Sequence, residues 1–137
     1  MKVMVLVKAT RDSEAGAPPT AELWSAMDQF NEPLIKAGIL LAAEGLKPSS
    51  EGKRVLFSGT KRAVTDGPFT ETKELVAGFW LWQVRSMEEA VEWVKRCPNP
   101  KPSDSEIEIR PLYSPEDFAH WNLEPSAREA DQRPRAS

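Results

Sequence analysis

The chain has 137 residues, enough for one domain with a core of its own and too few for two. Hydrophobic residues make up 40% and charged residues 28% of it, the balance of a globular chain rather than a disordered or fibrous one. A formal net charge of -3 leaves no basic surplus to neutralise phosphates, so no nucleic-acid partner is expected, and a single cysteine excludes an intrachain disulfide or a cysteine-rich zinc site.

The opening stretch "KVMVLVK" alternates Val3, Val5 and Val7 against Met4 and Leu6, which predicts a strand with two apolar faces. Its apolar run stops at Lys8 with no small-residue cleavage site, and no stretch approaches the roughly 18 apolar residues of a membrane span; a cytoplasmic protein without a membrane partner is expected. After the turn-rich "RDSEAGAPPT", Thr20 can cap a helix whose Leu23, Met27, Phe30 and Leu34 form one stripe. Pro33 lies inside it, and because an interior proline costs about 3 kcal/mol a kink or break near Asn31 is expected. Gly38 closes the helix, and "ILLAAEGL" reads as a second strand whose only charge is Glu44.

Two short extended runs, Arg54 to Ser58 and Arg62 to Thr65, are joined by Gly59, Thr60 and Lys61, the length of a tight hairpin. "VAGFWLWQV" is again apolar on both faces and predicts a central strand. In "SMEEAVEWVKRCPNP", Ser86 and Glu89 suggest a capping box and Met87, Ala90, Val91, Val94 and Cys97 a buried stripe, stopped by Pro98 and Pro100. On that stripe Cys97 reads as core filling. "SEIEIRPL" is a half-exposed edge strand, Ser114 can start a last helical turn, and the polar remainder reads as a tail. The expected division is a domain over residues 1–113 and a helical turn with polar tail over 114–137.

Strand, helix, strand, ribbon, strand, helix, strand is the order of an α+β, ferredoxin-like split βαβ plan with an inserted β-hairpin. Two helices cover one face of such a sheet, yet two of its strands are apolar on both. The chain's own second copy is the simplest cover, and a homodimer is expected.

At "VTDGPFTETKELVAGFWLWQV", "SMEEAVEWVKRCP" and "EIEIRPL" the chain resembles the YCII-related family, in its DGPF branch, and "FNEPLIKAGILLAAEGLKPS" resembles that family's first helix and second strand. The resemblance implies a dimeric α/β barrel and, in the founding branch, a His and Asp pair in the dimer cleft. Here the only histidine is His120, beyond the last strand, so no equivalent of that histidine is present. Frequent linkage of DGPF members to sigma factors implies a regulatory or stress setting as the alternative to an enzyme.

The candidate site residues divide between two readings. Asp66 is either an acid/base or orienting group, or a turn residue accepting backbone hydrogen bonds in the loop that follows. Glu44 is a second acid or an exposed strand-end charge, and Lys73 an anion partner or part of a solvated corner. Trp80 and Trp82 share one strand face and either wall an aromatic pocket or pack a core. His120 reads as a surface residue. No zinc, nucleotide or phosphate motif is present, so a tightly bound metal or nucleotide cofactor is not expected. The function these readings support is acid/base chemistry on a small aromatic or lactone-type molecule near the dimer interface, the alternative being a non-catalytic dimeric binding or regulatory module.

Overall fold

Val3, Val5 and Val7 are buried while Met4 and Leu6 on the other side of the same strand are only half-buried, so among the described residues one face of the sheet is covered more fully than the other. The computed structural model describes residues 1–123, the side chain of Lys73 excepted. In chain order it contains β1 (Lys2–Lys8), α1 (Arg11–Glu14), α2 (Ala21–Lys36), β2 (Leu40–Gly45), β3 (Lys53–Ser58), β4 (Lys61–Asp66), β5 (Val76–Gln83), α3 (Met87–Lys95), β6 (Ile107–Pro111) and α4 (Pro115–His120), with single 3-10 turns at Ser49–Glu51 and Thr72–Glu74. The polar tail expected after the last turn lies, from residue 124, outside the described residues.

Four strands form one antiparallel sheet in the order β2-β5-β1-β6, and β3 and β4 form a separate ribbon. With the ribbon set aside, the second, third, first and fourth strands lie side by side, the split βαβ arrangement the sequence pattern predicts. Both helices pack on one face. Phe30 and Leu34 of α2 and Ala90 of α3 join Val3, Val5, Trp80 and Trp82 in the core, with Met27, Met87, Trp93, Val94 and Cys97 packed against it. Each such apolar side chain removed from water contributes about 1.5–3 kcal/mol, which is what holds helices of 16 and 9 residues on the sheet.

Several local expectations are corrected. Helix α2 runs unbroken through Pro33. The proline removes one backbone donor close to the helix end, while Phe30 and Leu34 anchor the turns on both sides of it. The segment after β1 is not only loop: Thr10 caps α1 and exchanges hydrogen bonds with Ser13. Ser86 accepts from the Glu89 N–H at 3.1 Å, but Glu89 turns back to Arg85 instead of completing a capping box, accepting from its N–H at 2.9 Å and from its guanidinium. Those bonds hold the Glu89 carboxyl below the usual carboxylate range. Trp93, not Val91, completes the buried side of α3.

The ribbon is longer than the sequence pattern indicates. Lys61 pairs with Ser58 and Asp66 with Lys53, leaving Gly59 and Thr60 as a two-residue turn in which Gly59 takes a φ of +59°.

Candidate functional site

The corner "TDGPF" is built by backbone contact rather than by its charge. Asp66 lies at the exposed end of β4 and accepts from Lys53 Nζ at 2.5 Å across the ribbon, so its partner is a cross-strand lysine and not the backbone of the following loop. Gly67 passes so close to the Ser49–Glu51 turn that a Cβ on it would stand 1.7 Å from the Ser49 carbonyl oxygen. The Gly67 N–H donates to Gly52 O at 3.0 Å, and the Phe69 N–H to Ser49 Oγ at 3.0 Å. Ser49 donates from both its N–H and its hydroxyl to the Glu14 carboxylate. The Arg54 guanidinium covers the Phe69 ring at 3.7 Å. Three segments distant in sequence are thus tied into one knot, and Gly67 and Ser49 are its centre.

A cavity lies elsewhere, over the β1-β5-β2 part of the sheet. On the helix-facing side of β5 the residues run Gly78, Trp80, Trp82, with Val7 of β1 and Gly45 of β2 paired to Gly78. At that end two glycines leave the sheet surface bare while Met27 and Asn31 of α2 stand across from it. The hollow between them has a volume of about 270 Å³. Lys101 borders it from the loop after α3. That loop, "CPNPKPS", is shaped by three prolines and by Asn99, which accepts from the Lys101 N–H at 3.1 Å and from Ser105 Oγ at 2.6 Å.

The polar groups of the cavity are few and oriented. The Trp80 indole N–H donates to Asn31 Oδ1 at 3.0 Å. Burial draws the Lys101 ammonium below its ordinary pKa, because taking a charge from water disfavours the charged form. Glu44 borders the cavity, but the register pairs it with Phe79, on the sheet face away from the helices, and its carbonyl oxygen lies 3.0 Å from where a Gly78 Cβ would stand. Strand alternation therefore directs its carboxylate toward the open face.

Of the residues singled out from sequence, Trp80 and Glu44 meet at this cavity and Asp66 does not. Trp82 is 0% exposed, packed on Phe30 and Trp80, and no part of the cavity wall; among the described residues its indole N–H has no partner. Lys73 lies in the Thr72–Glu74 turn. His120 is exposed at the end of α4, as expected. The Cys97 thiol, beside Met27, is raised to about 11 by burial, as core filling requires. Asn31 and Lys101 were not legible as site residues. Asn31 carried a signal, being a polar residue four after Met27 on the apolar side of α2; Lys101, between two prolines, carried none.

A family model described as the YCII-related domain matches residues 1–114. The chain is 36% identical over 78 residues to an uncharacterized protein of Rhizobium meliloti (strain 1021), a match covering 57% of this chain and 63% of that protein, less than two thirds of its length. Among solved structures it is similar to 5-chloro-2-hydroxyhydroquinone dehydrochlorinase from Burkholderia phenoliruptrix AC1100 in complex with 2,5-dihydroxybenzoquinone, at 17% identity and a TM-score of 0.48, over 85% of this chain and 97% of that one.

Proposed function

The chain belongs to the YCII-related family, and we propose that it is an enzyme that binds a small single-ring molecule in the cavity between α2, the β1-β5-β2 sheet and the Lys101 loop, and moves a proton on it. The observation that carries this reading is the cavity itself, sized at about 270 Å³ for one ring and walled by Trp80 on one side and Met27 on the other. Lys101 is its proton-transfer group. Burial that draws its pKa down makes its ammonium a readier proton donor than a free lysine, the condition for general-acid work on a bound anion.

The same reading makes the working form a homodimer. Met4, Leu6, Phe79 and Leu81 form an apolar sheet face that is only half-buried among the described residues, and the ribbon exposes Leu56 by 64% and Phe57 by 68%. A two-stranded ribbon is at best marginally stable alone, so both surfaces call for a cover, and a second copy supplies one to each. That ribbon also favours the second reading, a non-catalytic module whose apolar arm contacts a partner.

The test is proton exchange. Single-ring phenols, lactones and aromatic ketones that raise the melting temperature are incubated with the protein in deuterated water, and loss of their carbon-bound hydrogens is followed by NMR. Exchange with the wild type and none with Lys101→Met supports an enzyme. Tight binding with no exchange or turnover of any bound compound refutes catalysis and leaves the binding module, and light scattering giving the mass of a monomer refutes the dimer.

A further inference from the structure

Resting on the ligand cavity just described, we propose that its ligand is an organic oxyanion, a ring bearing a carboxylate or enolate whose charged oxygens lie on Lys101 Nζ and Asn31 Nδ2 while the ring lies against Trp80. The argument is one of donors and acceptors. An indole nitrogen can only donate, so the Trp80 N–H on Asn31 Oδ1 fixes which end of the amide is used up. The free end of Asn31 is its NH2 group, a double donor. Lys101 offers three more donors and no acceptor, and among the described residues its ammonium is in no ion pair.

Glu44, the one carboxylate at the border, is directed by its register to the opposite face of the sheet. The side-chain groups that remain for a ligand are therefore donors and one cation. An unpaired cation drawn from water is unfavourable, and a ligand carrying the opposite charge and acceptor oxygens relieves it. A neutral ring would fill the apolar part of the hollow and leave Lys101 and the Asn31 NH2 unpaired. A cationic ligand would meet a like charge.

Benzoate and its neutral isostere benzamide separate these cases, titrated against the full-length chain while the Trp80 indole N–H resonance is followed by NMR. The wild type is expected to bind benzoate about tenfold or more tightly than benzamide, the ratio that one hydrogen bond to a charged group supplies. Lys101→Met is expected to bring benzoate down to the level of benzamide and leave benzamide unchanged. Asn31→Asp keeps the acceptor for Trp80 but adds a carboxylate, and is expected to lose benzoate and retain benzamide; it decides the matter if Lys101→Met does not fold. Equal binding of the two by the wild type, or benzoate binding that survives Asn31→Asp, overturns the oxyanion while keeping a ligand cavity. Neither compound moving the Trp80 resonance at millimolar concentration overturns the cavity reading as well.

Discussion

Replacing Gly67 by alanine should be among the most damaging single changes in the domain, although it adds one methyl group near the surface. The new Cβ would stand 1.7 Å from Ser49 O and 2.6 Å from Ser49 C, where ordinary contact begins at 3.4 Å. Both neighbours are backbone, so no side-chain rotation relieves the overlap, and the two chain segments must part. Two hydrogen bonds cross that contact, Gly67 N–H to Gly52 O and Phe69 N–H to Ser49 Oγ, and a third, Ser49 N–H to Glu14, holds the displaced segment on its far side. At about 1 kcal/mol each, their loss or stretching predicts a destabilisation of about 2–4 kcal/mol, read as a lower urea midpoint with unchanged slope. The control is its neighbour. Asp66 and Lys53 are mostly exposed, and such a pair is worth about 0–1 kcal/mol, so Asp66→Ala should leave the midpoint nearly in place. A Gly67→Ala protein within about 0.5 kcal/mol of wild type, or an Asp66→Ala protein less stable than it, would refute the assignment of this corner to backbone packing.

Other consequences follow from the core and the open surfaces. Because the Cys97 thiol is raised from 9.0 to about 11, the native state holds its proton more tightly than the unfolded state. Stability from this source should be intact below pH 9 and fall as pH rises through about 11, by less than the full shift implies because the thiol is only half-buried, and Cys97→Ala should abolish that alkaline slope in urea titrations at stepped pH. Gly78→Val should fill the cavity floor and eliminate ligand-induced thermal shifts; a variant that folds and binds like wild type would show that the ligand sits elsewhere. In the proposed dimer, Phe57→Asp should halve the mass seen by light scattering, since a charge on the ribbon would be buried against the second copy, and an unchanged mass would remove the ribbon from that interface.

The strand and helix order was legible because it depends on period: Val3, Val5 and Val7 read as one strand face, and Phe30 and Leu34 as one helix face, in any context. The unbroken course of α2 through Pro33 was not, since it depends on burial of its neighbours by strands distant in sequence. The meaning of "DGPF" was hidden for the same reason. Its aspartate drew notice as chemistry, while the constraint falls on the glycine and is imposed by Ser49, whose proximity no local pattern encodes.

The cavity shows the limit most directly. A search for catalytic acids stops at Asp66 and Glu44, because carboxylates are visible in a sequence; yet the register directs one away from the hollow, and the other lies at the end of the ribbon. What makes the hollow is the pairing of Gly45 with Gly78 beneath Met27 and Asn31. Trp80 and Trp82 continue the Gly78 face and pack under α2 with Phe30, so the helix is held off the sheet by large rings at one end and faces glycine backbone beside Val7 at the other. The space is created by residues that lack side chains, and only then does Lys101, unremarkable between two prolines, become a cation facing a ring-sized void.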